Sequence, residues 1–279
     1  MSFADVKGIR IFYREYGNTN DDDVLFIHGL GSSSLVWRDI PDALSVGYHT
    51  IAIDLVGFGL SDKPEKPDYY TIEGFSRIIA DFLETIGTKK RGSCKLILIG
   101  HSLGGYIATQ FAIKHKAKIR KLVLVDSSGL LESPTPLLND YYDAAMEINP
   151  IIRYDKIKRV LEDMYASPYR LLPISVNLFE YVIEKKGARQ AFGSSFKNST
   201  SSQIEPEGFK VIQDIQCLVL WGEKDNLIPV RYYDRFKEML PKAKYELIQD
   251  AGHAPFVEKP ALFYQKLTTF LNHPNIKKY

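Results

Sequence analysis

The segment from Leu96 to Ala112 limits the possible folds more than any other. Four apolar residues, Leu96-Ile97-Leu98-Ile99, run into Gly100-His101-Ser102-Leu103-Gly104, and a helical stretch, Tyr106-Ile107-Ala108-Thr109-Gln110-Phe111-Ala112, follows at once. A strand that becomes a helix within so few residues needs a sharp turn, with the serine held in a strained backbone conformation. Strand and helix then approach closely, and any side chain at Gly100 or Gly104 would clash. The turn points the Ser102 hydroxyl out of the sheet. The helix N-terminus beneath it favours negative charge developing nearby.

The rest of the chain repeats this strand-then-helix rhythm. Apolar runs predict strands at Val24 to Ile27, Thr50 to Leu55, Lys95 to Ile99, Lys121 to Val125, Cys217 to Trp221 and Lys244 to Ile248. Several are rich in β-branched residues without polar alternation, as in strands covered on both faces. Gly8 to Arg14 partly alternates and suits an antiparallel edge strand. Phe75, Ile78, Ile79, Phe82, Leu83 and Ile86 share one helical face, with Thr71 as cap and Gly87 as terminator. Pro229 suits the first turn of a helix through Phe236 and Met239, and a last helix covers Ala261 to Leu271. The expected class is α/β with a mostly parallel central sheet flanked by helices.

Between about Leu130 and Glu207 the rhythm breaks. This stretch is rich in Tyr and Pro, lacks convincing strands and carries helical patterns of its own. Asn149-Pro150 starts one, with Ile157, Val160, Leu161 and Met164 on its apolar face; another runs from Ile174 to Lys185 and stops at Gly187. The expected organisation is a core domain over 1–129 and 208–279, with a helical cap inserted at 130–207 and the polar Lys197 to Gln203 segment near its return.

Composition narrows the partners. The 279 residues are 45% hydrophobic and 25% charged, with a formal net charge of +2. Such a balance gives no electrostatic reason to expect nucleic acid or an anionic membrane as partner. The densest basic run, Lys89-Lys90-Arg91 with Lys95 beyond it, reads as a solvated loop. Cys94 and Cys217, the two cysteines, have no metal-ligand spacing and read as buried reduced thiols, which suits the cytosol. No apolar stretch approaches the roughly 20 residues of a bilayer span, and the N-terminus lacks the apolar region of a signal peptide. The expectation is a soluble, cytoplasmic protein; its oligomeric state is left open.

Ser102 does not stand alone. The turn that carries it resembles the nucleophile elbow of the α/β-hydrolase superfamily, and four further segments match that family in order. His28-Gly29-Leu30-Gly31 resembles the oxyanion loop, and Asp54-Leu55-Val56-Gly57-Phe58-Gly59-Leu60-Ser61 the D-x-x-G-x-G-x-S turn. Trp221-Gly222-Glu223-Lys224-Asp225 looks like the strand end bearing the acid, and Gly252-His253-Ala254-Pro255-Phe256 like the loop bearing the base. The resemblance spans about residues 24 to 260 and leaves only the cap unmatched. It implies Ser102 as nucleophile, His253 as base, Asp225 as the acid that orients it, and the backbone N–H groups of Leu103 and Leu30 as oxyanion donors. A serine hydroxyl needs such a base, because it is a poor nucleophile until an imidazole can take its proton.

Neighbouring residues have plainer readings. His101 is turned away from Ser102 by the elbow and packs; His28 braces the oxyanion loop; His49, His115 and His273 are surface or loop positions; Asp54 fixes its turn. Asp126, just after the strand that follows the elbow, is the rival to Asp225 for the acid. Trp37, Tyr106 and Phe256 are candidate lining for a substrate pocket, with simple core packing as the alternative.

The resemblance implies a carboxylic ester hydrolase working through an acyl-serine on small to medium apolar acyl esters, with a small-molecule substrate as partner. The same triad also serves carbon–carbon bond hydrolysis, as in meta-cleavage-product hydrolases, and cofactor-free perhydrolysis. Epoxide hydrolases and haloalkane dehalogenases of this fold need Asp where Ser102 stands, and the Gly-Gly-x-Gly of proline iminopeptidases is not matched. A non-catalytic binding protein on the same fold is the reading from another class. No cofactor or metal is implied: there is no H-E-x-x-H and no P-loop.

Overall fold

A computed structural model describes residues 2–18, 22–88, 96–167 and 172–271. The basic run Lys89-Lys90-Arg91 with Lys95, and also Cys94 and His273, lie outside the described residues. Eight strands form one sheet: β1 (Ser2–Val6), β2 (Ile9–Tyr16), β3 (Asp23–Ile27), β4 (His49–Ile53), β5 (Leu96–His101), β6 (Ile119–Val125), β7 (Gln216–Gly222) and β8 (Lys244–Ile248). Their order is β1-β2-β4-β3-β5-β6-β7-β8. β1 pairs with β2, and β2 with β4, in antiparallel fashion; every other pairing is parallel.

Helices cover both faces: α1 (Ile40–Leu44), α2 (Ile72–Thr85), α3 (Leu103–Lys114), α4 (Pro136–Met146), α5 (Pro150–Met164), α6 (Leu172–Ile183), α7 (Ala188–Thr200), α8 (Pro206–Ile212), α9 (Arg231–Met239), α10 (Pro255–Glu258) and α11 (Pro260–Leu271). The alternation along β3 explains the layering. Leu25 and Ile27 join an apolar cluster with α2, α3, α8 and α9, whereas Val24 and Phe26 join a second one with α1 and α11. Strands buried on both faces in this way need the near-continuous apolar runs of β3 to β7.

Local chemistry sets the helix ends. The Thr71 hydroxyl accepts the Gly74 N–H at 2.9 Å at the start of α2, and Gly87 beyond its end has φ of +81°. Asn149 Oδ1 accepts from Ile151 and Ile152, which starts α5 at Pro150. The apolar face of α5 carries Ile157, Val160, Leu161 and Met164, as its spacing predicts, together with a fully buried Arg153 that Glu180 of α6 and Glu184 just beyond it neutralise.

The remaining differences have physical reasons. β1 is an extra edge strand; only Ala4 and Val6 of its five residues turn inward, too short an alternation to recognise. Gly187 begins α7 rather than ending α6, which stops at Ile183. The polar look of Lys197 to Gln203 hides the end of α7, whose inner face is Ala191, Phe192, Ser195 and Ser199. Pro229 precedes α9, its carbonyl accepting the Tyr232 N–H at 2.9 Å. The four helices α4 to α7 lie between β6 and β7 in the chain, over the C-terminal ends of the parallel strands.

Candidate active site

Ser102 sits between β5 and α3 with φ of +55° and ψ of −121°, a conformation that side chains adopt only under constraint. Its N–H donates to the Val125 carbonyl at 3.0 Å, and its own carbonyl accepts from Gly105 at 2.9 Å and Ser128 at 3.1 Å. A Cβ at Gly100 would strike the Gly104 backbone, and one at Gly104 would strike the carbonyls of Ile27 and His28. Both glycines are therefore steric requirements of the turn, as the motif predicts. Leu103 occupies the first position of α3, where the helix offers its N–H no acceptor.

Asp225 and His253 come together from the loops after β7 and β8. His253 Nδ1 lies 2.7 Å from Asp225 Oδ2, and both side chains are buried. Asp225 Oδ1 accepts the N–H groups of Leu227 at 2.8 Å and Ile228 at 2.9 Å, so the carboxylate is held at both oxygens. With a carboxylate on Nδ1, the Nδ1–H tautomer leaves Nε2 as the ring's free base. Asp126, Asp225 and His253 each offer a ligand atom within 4.8 Å of the others, the sole such cluster among the described residues that could hold a metal ion. Within it, His253 Nδ1 and Asp225 Oδ2 already engage each other.

Ser102 and His253 share the wall of a cavity of about 120 Å³. Gly29 and Leu30, after β3, form part of the same wall, and the remaining lining comes largely from α4, α5 and α6: Leu138, Tyr141, Leu161, Met164, Phe179 and Val182. No Lys, Arg, Asp or Glu is among the lining residues described. A group about the size of benzene fits a dry apolar space of this order.

Two histidines brace this centre. His28 Nδ1 donates to the Gly29 carbonyl at 2.8 Å while its Nε2 accepts the Leu55 N–H at 3.0 Å. His101 Nε2 donates to the His253 carbonyl at 2.7 Å, and its ring lies 4.7 Å from that of His253. Burial pushes the pKa of both below the ordinary imidazole value, His101 strongly, with the neighbouring His253 adding to the effect. Asp54 fixes its turn by accepting from Ser34 at 2.6 Å and Leu60 at 2.8 Å.

Other placements differ from expectation. Trp37, Tyr106 and Phe256 do not line the cavity. Trp37 stacks on Phe256 at 4.5 Å beneath the sheet's second face, and Tyr106 turns its hydroxyl to Ser202 at 3.2 Å. All three are buried by packing, because adjacency to a motif in sequence does not fix the direction of a side chain. His49 is no surface residue: it is fully buried at the start of β4, with Asp23 at 2.5 Å and Glu15 at 2.7 Å. It lies away from the cavity. His115 ends α3, half-buried against Phe111.

Residues without a local motif complete the site. Tyr141 of α4 donates its hydroxyl to the Leu30 carbonyl at 3.3 Å. Glu258 accepts from Gly252 at 2.8 Å beside His253, and from Ala166 at 2.8 Å and Ser167 at 3.2 Å beyond α5. Tyr141 was hidden in a stretch with no recognisable pattern, and Glu258 reaches Ala166 and Ser167 across more than 90 residues of chain.

The elbow, the six-strand parallel run and the order of the loops match a known architecture, and the model of the family described as alpha/beta hydrolase fold matches residues 23–260. The chain belongs to that family. It is 31% identical over 262 residues to Lipase 1 of Psychrobacter immobilis, covering 92% of this chain and 79% of the lipase. It is 23% identical to the 2-hydroxy-6-oxo-6-(2'-aminophenyl)hexa-2,4-dienoic acid hydrolase of Metapseudomonas resinovorans, over 97% of this hydrolase and 90% of that one. Among solved structures, the meta-cleavage product hydrolase CumD of Pseudomonas fluorescens IP01 superposes with a TM-score of 0.85 at 21% identity, covering 99% and 98% of the two chains. No helix among the described residues is long and apolar enough to cross a membrane.

Proposed function

We propose that this hydrolase cleaves carboxylic esters of compact apolar acids through an acyl-serine intermediate. Ser102 attacks the ester carbonyl while His253 Nε2 takes its proton, and the Asp225 carboxylate stabilises the imidazolium formed. The N–H groups of Leu103 and Leu30 receive the negative charge that develops on the carbonyl oxygen. His253 then gives its proton to the departing alcohol and draws one from water, whose attack frees the acid and restores Ser102. Residues 130–207 act as the cap over the acyl pocket, on a core of 1–129 and 208–279.

One observation carries this reading: Ser102 and the Asp225-bound imidazole of His253 face the same small apolar cavity. Its lining favours a neutral substrate. A dienoic acid, such as the Metapseudomonas relative acts on by name, would bring a carboxylate into a space where no described residue offers a cation. Its size favours a short or compact acyl group.

Turnover of a p-nitrophenyl ester series by the wild type and by Ser102→Ala tests the proposal. Activity that peaks at short chains and falls by roughly 10⁴-fold or more in the variant is expected. No turnover of any ester, in folded protein that does not react with a fluorophosphonate, would count against serine hydrolase chemistry and for a binding role. Labelling without ester turnover would move the reading to carbon–carbon bonds.

A further inference from the structure

Asp126 is a fully buried carboxyl that the mechanism above does not use. It follows β6, one strand along from the elbow, and its backbone has φ of +43°. The Gly222 N–H donates to its Oδ1 at 2.8 Å. Its Oδ2 is sealed from solvent and meets no N–H or O–H donor among the described residues. A carboxyl oxygen of Asp225 lies within 4.8 Å of one of Asp126, and His253 is the third member of the cluster, its ligand atom inside the same distance of both.

Two carboxylates this close cannot both be ionised out of water without a cation beside them, and among the described residues neither oxygen of Asp126 meets a Lys or Arg. One of them holds a proton. Donor count says which: Asp225 accepts from two backbone N–H groups and from His253 Nδ1, Asp126 from one backbone N–H alone. The anion belongs where the donors are. The acidic groups facing Asp126 act in the same sense: burial first, then Asp225, and more weakly Glu258 from α10, raise its pKa well above the ordinary carboxyl value.

We propose that Asp126 is a second acid of this centre: a neutral carboxyl whose O–H donates to Asp225, and which becomes the anion beside His253 when Asp225 is removed. It is a positioning residue in the intact protein, acting on the base through Asp225. This satisfies the stranded Oδ2 without any further group. It also leaves one net negative charge, rather than two, to face the imidazolium. The functional part of the inference rests on the serine hydrolase reading; the shared proton does not.

Two measurements test it. The first is the infrared difference spectrum between wild type and Asp126→Asn at neutral pH. A protonated carboxyl band in the wild type that vanishes in the variant is expected, while any other protonated acid cancels. The second is the rate at which a fluorophosphonate labels Ser102. Asp126→Asn keeps an acceptor for Gly222 in its amide oxygen and a donor where the O–H stood in its amide nitrogen, so its own labelling rate is the single-variant reference for the double variant. Asp225→Ala should be strongly slowed, and Asp225→Ala with Asp126→Asn slower again by about 10-fold or more, because a nearby buried anion is then lost. Absence of the band, or a double variant no slower than Asp225→Ala, would overturn the proposal. Should Asp225→Ala fail to fold, the infrared result decides alone. A wild type that takes no label removes the serine hydrolase reading and leaves the infrared test of the shared proton intact.

Discussion

The backbone N–H of His253 donates to the carbonyl of Met164, 3.0 Å away, so the base loop and the end of α5 are joined directly. Glu258 doubles the joint by holding Gly252 with one oxygen and Ala166 and Ser167 with the other. Asn226, next to Asp225, adds a third tie through its side-chain amide to the Asp163 carbonyl at 3.0 Å. The end of α5 cannot swing away without moving the base loop.

Glu258→Ala strands three donors at that joint. A loss of about 2 to 3 kcal/mol in unfolding free energy is expected, from hydrogen bonds to a charged group. Ester kcat/KM should fall by roughly 10-fold or more, because the ring of His253 loses its fixed position. Glu258→Gln keeps an acceptor for only one side and should fall between the two. Urea denaturation and steady-state kinetics on the three proteins check this. Unchanged kinetics in a destabilised Glu258→Ala would reduce Glu258 to a structural tie.

What was legible in the sequence was whatever steric necessity writes locally. Gly100, Ser102 and Gly104 specify their turn because each clash is made with atoms nearby in the fold of that turn or of the strand beside it. The triad candidates lie at strand ends, and in a parallel sheet those ends converge on one side. Asp225 and His253 were paired through the resemblance of their flanking segments to those of the family, and the fold brings them to 2.7 Å although 28 residues separate them. Glu258 was not, since only the folded chain brings Ala166 to it. Trp37 and Phe256 illustrate the opposite error: they adjoin motifs, but their rings face each other in the core rather than the substrate. The buried His49 likewise depends on Asp23 and Glu15 from two neighbouring strands, a pairing that no local pattern displays.

Acid should destabilise the fold through its buried imidazoles. Burial lowers the pKa of His28 and His101 in the folded chain, whereas the unfolded chain titrates them near ~6.5. Above that pH both states are neutral at these positions, and they contribute nothing. As pH falls through it, the unfolded chain takes up protons that the folded chain declines. Stability then drops by up to about 1.4 kcal/mol per pH unit for each histidine. His101→Gln keeps a donor for the His253 carbonyl and should flatten the loss between pH 7 and pH 5 by about one proton. The comparison isolates the imidazole from Asp126, whose raised pKa works in the opposite sense. Denaturation midpoints across that range give the slopes, and identical slopes would sink the prediction.

Enlarging the cavity should change which ester is preferred. Leu161 and Phe179 both line it and are both nearly buried. Truncating either to Ala costs roughly 2 to 5 kcal/mol of stability by emptying packed space. The same space can then receive more of the acyl chain. Two additional buried methylenes, at about 0.8 kcal/mol each, correspond to roughly 15-fold in kcat/KM for the longer ester. The p-nitrophenyl series should thus peak at longer chains in Phe179→Ala than in wild type. A peak that stays where it was, in a variant that remains folded, would place the acyl group elsewhere.

Tyr141 should matter to turnover more than to binding. Its ring packs at 5.5 Å from Phe179 and 5.2 Å from Phe192, and its hydroxyl reaches the Leu30 carbonyl at 3.3 Å. Burial raises its pKa far above the ordinary phenol value, so the hydroxyl stays protonated and donates at any working pH. The bond holds the peptide that follows Leu30, and so orients the loop carrying the proposed second oxyanion donor. Losing such a donor outright costs about 10²- to 10³-fold in kcat, and a loosened one costs a fraction of that. Tyr141→Phe keeps the ring and deletes the bond. Its kcat should fall by roughly 5- to 10-fold, with KM within about twofold of wild type. A raised KM at unchanged kcat would mean instead that the hydroxyl contacts the substrate and leaves the loop to hold itself.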